Sequence, residues 1–491
     1  MGGPSGPMLL FPVAAIGAQS VGPEGPPTTA DPVAEPISFI RRSFAMPPRF
    51  RLPALPALLA LGLAAAPAFA QNANPAADSA AVAQAAQSVQ SRVVAWRRDI
   101  HQHPELGQHE TRTAQLIADQ LRKLGLQPRT GIAHTGVVAV LKGGKPGPRI
   151  AIRADMDALP VTEPAGLPFA SKVTADYRGQ PVGVMHACGH DAHVAILLGV
   201  ATALAAQKDQ LPGEVMFVFQ PAEEGPPTAG EPFGAKLMLD QGVFKDFKPE
   251  AVFGLHVWAG LNVGQIGYRS GPMLASADEW SLTVRGKQTH GSRPWDGVDP
   301  ITVGAQILLA SQSLIARQVN IAATPVVLTA GQFNSGVRFN IIPDEAKLVG
   351  TLRTFDPAVR EDVIARLRRT ADDYAHAAGA SAELAVVNNA PATINDAALT
   401  RRVLPSLRRA AGEANVVESG LVTVAEDFSQ FANTVPGFYF FVGSTAKGSD
   451  ATKAPINHSP NFMLDEGSLE VGTKAMLQVA LDYLQAAPAR D

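Results

Sequence analysis

Residues 214–225 read Glu-Val-Met-Phe-Val-Phe-Gln-Pro-Ala-Glu-Glu-Gly. Positions 215–219 are apolar without alternation, so the strand they form is buried on both faces. β-rich runs also stand at 136–141, 149–153 and 251–256, separated by helix-like stretches such as 193–206. Two helices precede them: 80–103 has helical apolar spacing, and 110–124 repeats it with Leu116, Ile117, Leu121 and Leu124 on one face. Apolar strands alternating with helices predict an α/β fold, a mostly parallel sheet with helices on both faces. Sites in such sheets lie just beyond the strand carboxyl ends. Asp155 and Asp157, Glu223 and Glu224, and His256 all fall there.

Further along, the pattern changes. Strand 279–284, helix 298–317, strands 325–329 and 346–353, helix 357–378 and strand 382–387 follow in the β-α-β-β-α-β order of a ferredoxin-like unit. The α/β pattern resumes after Pro391 with a strand at 437–442 and a closing helix at 466–484. Phe438, Tyr439, Phe440 and Phe441 on that strand read as core. The expected organisation is a catalytic domain in two parts, 71–275 and 390–491, interrupted by a smaller α+β domain at 276–389.

The chain has 491 residues, 46% hydrophobic and 17% charged, with 41 basic against 44 acidic side chains and a net charge of -3. Such composition is globular, and the charge balance argues against a nucleic-acid partner, which requires clustered Lys and Arg. A mean hydropathy of +0.06 excludes a multi-span membrane protein. From Met46, Arg49 and Arg51 precede an apolar run at 52–66 and then Ala68-Phe69-Ala70, a small-x-small cleavage site. This predicts a secretory signal at 46–70, too short for a membrane anchor, and export to a periplasm or beyond. Residues 1–45 are Gly- and Pro-rich and read as an unstructured leader or an over-extended start. One cysteine, Cys188, excludes an intrachain disulfide and leaves a packed or chemically used thiol.

His186-Ala-Cys188-Gly-His190-Asp191-Ala-His193 gathers three imidazoles, a thiol and a carboxylate ahead of an apolar helix. A lone buried histidine is usually a satisfied core residue, but this density points to metal, and the donor set suits zinc, cobalt or manganese rather than calcium. Glu223 and Glu224, adjacent on an extended segment, point in opposite directions, so one can ligate while the other acts as a base. The dipeptide alone reads equally as a solvated acidic turn. His256 ends another buried strand and His458 lies in a loop before the last helix. Together these segments offer the ligand count of a two-metal site plus a base, which predicts hydrolysis.

In sequence, the chain resembles the two-metal aminoacylase and glutamate-carboxypeptidase metallopeptidases, in the amidohydrolase branch of indole-acetyl-amino-acid hydrolases, hippurate hydrolases and N-acetyl-diaminopimelate deacetylases. The resemblance spans about residues 89–484 and rests on ordered motifs: Arg98-Asp-Ile-His-Gln-His-Pro-Glu105, Arg153-Ala-Asp-Met-Asp-Ala-Leu-Pro160, 185–193, 221–225, 254–257, Asn340-Ile-Ile-Pro343 and His458-Ser-Pro460. It implies that Cys188, His190, Glu224, His256 and His458 hold two divalent ions, zinc before manganese or cobalt, and that Glu223 is the acid/base. Asp157 would fix an imidazole tautomer. His290 would stabilise the oxyanion, often in a partner's site, and Asn340 and Arg353 would grip the substrate carboxylate. The inserted domain would act as lid and dimerisation unit in a homodimer or larger homo-oligomer. His101, His103, His186 and His193 read as structural. One departure from the family is a pair of prolines, Pro226 and Pro227, beside the site. They would stiffen the loop and reshape the acyl pocket.

The expected activity is hydrolysis of N-acyl amino acids, N-aroyl included, by an exported amidohydrolase. The rivals are a dipeptidase or carboxypeptidase on short peptides and a periplasmic protein that binds without hydrolysis.

Overall fold

The computed structural model describes residues 77–226 and 231–486. The leader at 1–45, the signal segment at 46–70 and Pro227 lie outside the described residues. Among the described residues, eight strands form one sheet in the order Arg129–Ile132, Gly136–Lys142, Pro212–Gln220, Lys145–Asp155, Ala251–Asn262, Gly437–Thr445, Ile266–Tyr268, Val416–Glu418. The four strands from Pro212–Gln220 to Gly437–Thr445 run parallel, while Gly136–Lys142 pairs antiparallel with Pro212–Gln220.

Alternate side chains of these strands go to opposite faces, as the pleat requires. Phe217, Phe219, Phe253, Phe438 and Phe440 pack into the core under the helices Ser79–Gln102, Thr111–Lys123, His190–Ala205 and Gly467–Gln485, whereas Met216, Val218, Tyr439 and Phe441 face Phe244, Phe428 and Phe431 on the other side. Helix His190–Ala205 is buried all round because it is enclosed between the sheet and two other helices, which explains its unbroken apolar sequence. Its start is set by Gly189, at φ +97°, where a Cβ would come within 2.3 Å of Val257 Cγ2. Among the described residues no helix is long and apolar enough to cross a membrane.

Residues 277–390 form a second sheet of four antiparallel strands, in the order Val327–Ser335, Glu345–Arg353, Ala277–Arg285, Ser381–Ala390. This is the ferredoxin-like order. Helices Pro300–Gln318 and Pro357–Ala377 cover one face, and Trp280, Leu282, Val284, Leu348, Leu352 and Leu367 make its own core. Two local details differ from the sequence expectation. The strand expected at 325–329 runs Val327–Ser335, carried past a bulge at Ala330/Gln332 that period-two reading cannot anticipate. Helix Ala397–Ala411 was not anticipated because Pro405 sits inside it.

Candidate metal centre

The carboxyl ends of the parallel strands converge with two loops. Asp155 ends Lys145–Asp155, with Asp157 two residues on; Glu223 and Glu224 follow Pro212–Gln220; His256 lies within Ala251–Asn262; Cys188 and His190 straddle the start of helix His190–Ala205. His458 arrives from afar. Its N–H donates to the Ala187 carbonyl at 2.8 Å, and Asn457 Nδ2 donates to the Cys188 and Val257 carbonyls at 2.9 and 3.1 Å, stapling the loop across the sheet end.

Five groups of three possible ligand atoms, each mutually within 4.8 Å, occur among the described residues, and two of them contain Cys188: Cys188, His190 and His256, and Cys188, Glu224 and His458. The thiol is common to both. Cys188 Sγ is 3.3 Å from His256 Nε2, and His458 Nε2 is 2.9 Å from Glu224 Oε1. Fitness for a cation shows most clearly at His190. Its Nδ1–H donates to the Asp157 carbonyl at 2.9 Å, with Asp157 Oδ1 at 3.2 Å, which leaves Nε2 as the nitrogen turned to the cluster. That Nε2 is buried and has no hydrogen-bond partner, with Asp155, Glu223 and Glu224 oxygens 3.8, 3.8 and 3.9 Å away. An imidazole nitrogen facing three carboxylates calls for positive charge between them, supplied by a proton on Nε2 or by a metal ion in its place.

Electrostatics agree. Burial opposes protonation of His190, but Asp155 and Asp157 outweigh it and push the imidazole up to about 10. Burial, with the Glu224 and Glu223 charges, raises the Cys188 thiol well above its ordinary value. Burial, then Glu426 and Glu224, holds the Glu223 carboxyl well above the usual range. Burial and His193 keep His256 neutral, as a ligand must be. The cluster is short of positive charge, which divalent ions would supply.

His193 and His101 are already occupied, whereas buried His186 has neither ring nitrogen hydrogen-bonded. His193 Nδ1 bonds Asp155 Oδ1 at 2.5 Å while its Nε2 accepts from Val257 N–H at 2.9 Å, so neither nitrogen is free for a metal. His101 bridges Asp191 Oδ2 at 2.8 Å and Glu163 Oε1 at 3.0 Å. Sequence reading gave no role to Glu426 and Asp427. Both are buried below Glu223 and bind the Arg153 guanidinium at 2.8 and 3.0 Å, while Arg153 also donates to Asp155 at 2.7 Å. Their segment follows no regular strand, so no period marks it; the acidic pair next to apolar Phe428 is the only local signal. Ala222, just before the carboxylate pair, holds φ +48°, a conformation costing a non-glycine about 1–3 kcal/mol.

A cleft of about 430 Å³ opens on these groups. Phe233, Trp258, Leu274 and Phe441 give it an apolar wall, Trp258 and Phe441 stacked at 4.7 Å, and Arg353 and Asn389 of the 277–390 unit face it. The Arg353 guanidinium donates to the Ser276 carbonyl at 3.5 Å, and burial lowers its pKa. His290 and Asn340 do not line this cleft. The structure brings them together instead on a small ladder, Thr289–His290 against Ile341–Ile342, where the Asn340 carbonyl accepts from Gly291 N–H at 2.8 Å and His290 Nδ1 is 2.7 Å from Ser292 Oγ.

Comparison with known proteins gives the same answer from another direction. The model of peptidase family M20/M25/M40 matches residues 151–482. A thermostable carboxypeptidase of Saccharolobus solfataricus is 38% identical over 80% of this chain and 96% of its own. The N-acetyl-L-cysteine deacetylase of Bacillus subtilis is 35% identical over 78% of this chain and 86% of its own. A solved Bacillus subtilis structure, described as a dinuclear metal binding peptidase from the M20 family, is 34% identical with a TM-score of 0.67, covering 82% of this chain and all of that one.

Proposed function

This chain belongs to peptidase family M20/M25/M40 and is a metal-dependent hydrolase of amide bonds; within that family we propose that it is an exported N-acyl amino acid amidohydrolase, N-aroyl substrates included. The observation that carries the reading is the pair of ligand groups sharing Cys188, with the Glu223 carboxylate 3.8 Å from His190 Nε2.

In this reading Cys188, His190, Glu224, His256 and His458 would hold two divalent ions. Thiolate with imidazole favours zinc over manganese or cobalt. Bound ions supply Lewis acidity that polarises the scissile carbonyl and acidifies water. Glu223, with its raised proton affinity, takes the water proton and returns it to the leaving nitrogen. Asp157 keeps His190 in the Nδ1–H tautomer. Arg353 grips the free carboxylate, for which a guanidinium fork is the natural partner. The wall of Phe233, Trp258, Leu274 and Phe441 suits a flat, apolar acyl group.

Association through the 276–389 domain belongs to the same reading, with His290 and Asn340 serving a neighbouring subunit. Strand Val327–Ser335 is an unpaired sheet edge, and Trp295, Val337 and Phe339 nearby are 74%, 100% and 95% exposed. Export rests on the signal at 46–70; protein found only in the cytoplasm with residues 46–70 retained would refute it.

Carboxypeptidase action on short peptides is the second reading, favoured by the Saccharolobus relative. One assay separates the two: mass-spectrometric hydrolysis of pooled N-acyl amino acids and dipeptides, with and without chelator. Chelator-sensitive release from acetyl-, benzoyl- or indole-acetyl-amino acids supports the amidohydrolase reading. Release from dipeptides alone overturns it.

A further inference from the structure

We propose that Glu110 is a positioning residue for Glu223 and Glu224, gripping the backbone of the loop that carries them. The inference rests on the roles just given to those two carboxylates. It starts from the turn after the motif 98–105, which has no part in the metal centre. Glu110 stands at the N-cap of helix Thr111–Lys123 yet makes no capping hydrogen bond. Glu105 caps that helix instead, its carboxylate accepting from Arg112 N–H at 2.9 Å and Thr113 N–H at 2.8 Å. Freed from capping, the Glu110 side chain turns inward and is fully buried.

There, Oε1 accepts from Ala222 N–H at 2.8 Å and Oε2 accepts from the Thr135 hydroxyl at 2.5 Å. Ala222 is the left-handed residue directly before Glu223, and its carbonyl accepts from Gly234 N–H at 3.0 Å, so both of its backbone polar groups are held. A third tie lies just beyond, where Glu224 N–H donates to Asp157 Oδ2 at 2.9 Å. The turn itself is pressed onto this loop: a Cβ at Gly107 would stand 2.7 Å from the Gly225 carbonyl and 3.1 Å from Ala222 Cα. The Glu105 carbonyl accepts from Ala158 N–H at 2.8 Å, so one turn braces both carboxylate-bearing segments.

The missing cap bond argues against a capping role, and Glu110 belongs to none of the ligand groups among the described residues. Burial, with the Asp157 charge, pushes the Glu110 carboxyl up to about 8. A neutral Gln therefore preserves its acceptor for Ala222 and can donate to Thr135 Oγ1.

The test compares metal-loaded, full-length Glu110→Gln, Glu110→Ala and Thr135→Val with wild type, reading kcat and KM on an N-acyl amino acid, metal content, and hydrogen exchange of the peptide containing 222–225. Displacing reacting groups by about 1 Å can cost about 10²-fold, so Glu110→Ala is expected to lose about that in kcat with KM unchanged and faster exchange in 222–225. Glu110→Gln is expected to keep both turnover and protection. Wild-type turnover and exchange in Glu110→Ala would overturn the proposal, as would equal losses in Ala and Gln. If Glu110→Ala does not fold, Thr135→Val decides: a kcat loss with faster exchange supports the grip, and wild-type values for both refute it. Glu223→Ala, run alongside, isolates the underlying reading: full turnover there sinks the base assignment, while exchange in the Glu110 variants still judges the grip.

Discussion

The carboxyl end of the eight-stranded sheet and the cleft-facing side of the 277–390 unit bear on one cavity but are built differently. At the sheet end the ionisable groups around Glu223 are buried and held by the chain's own partners: Arg153 on Asp155, Glu426 and Asp427, Asp157 on His190 and Glu224, His193 on Asp155. On the other side Arg353 reaches only the Ser276 carbonyl, at 3.5 Å, and His290 is exposed and turned to Ser292. The candidate metal centre sits on strand ends where buried hydrogen bonds fix most of the ionisable groups and leave His190 Nε2 unpartnered. Arg353 and His290 are tied by fewer such bonds.

The sharpest way to break this contrast is at the shared thiol. Cys188→Ala should lose both ions and all activity, with metal binding weakened beyond the roughly 10- to 100-fold seen when only a supporting partner is removed; elemental analysis showing full occupancy would remove Cys188 from the ligand set. Next, Glu223→Gln should retain metal and lose about 10²- to 10⁴-fold in kcat, a prediction refuted by unchanged turnover. On the 277–390 unit, His290→Ala should cost about 10²- to 10³-fold, the scale of one oxyanion donor. Mixing inactive His290→Ala with inactive Glu223→Gln subunits should restore activity if His290 serves the neighbour; no recovery would return it to a surface role. Arg353→Ala should raise KM about 10- to 100-fold, the worth of a charged hydrogen bond, for substrates with a free carboxylate, and leave carboxamide analogues unaffected.

The smallest effect belongs to stability. Burial opposes protonation of His101, but Asp191 and Glu163 outweigh it and hold the pKa above its ordinary value. The bridge therefore stabilises the fold fully below about pH 6.5, the ordinary value, and the contribution fades as pH rises through the raised folded value. The difference in Tm between wild type and His101→Gln should be widest in acid and narrow towards alkaline pH; a gap that grows with pH would contradict the bridge.

Much of this was legible in one dimension. The apolar run at 215–219 was long enough to declare a two-faced buried strand, and the density of imidazole, thiol and carboxylate at 186–193 pointed to metal, because both signals are local. Glu426, Asp427 and Glu110 gave no such signal. Each acts on a residue more than a hundred positions away, 273 in the Arg153–Glu426 pair and 112 in the Glu110–Ala222 bond. Pro405 hid a helix for a related reason, since local propensity opposed what packing against the neighbouring helices allowed.

The amino-acid sequence by itself determined the α/β class, the inserted ferredoxin-like order, the family and the residue types of a two-metal hydrolase, since periodicity and motif spacing are properties of the chain alone. Only the tertiary structure decided that one thiol belongs to both ligand groups, that His193 is spent on Asp155, that Arg353 but not His290 or Asn340 reaches the cleft within one chain, and that a capping position is turned to brace the carboxylate loop. Those outcomes depend on which strand ends and loops meet in space, and on which buried polar atom finds its partner first met by another segment of the same chain.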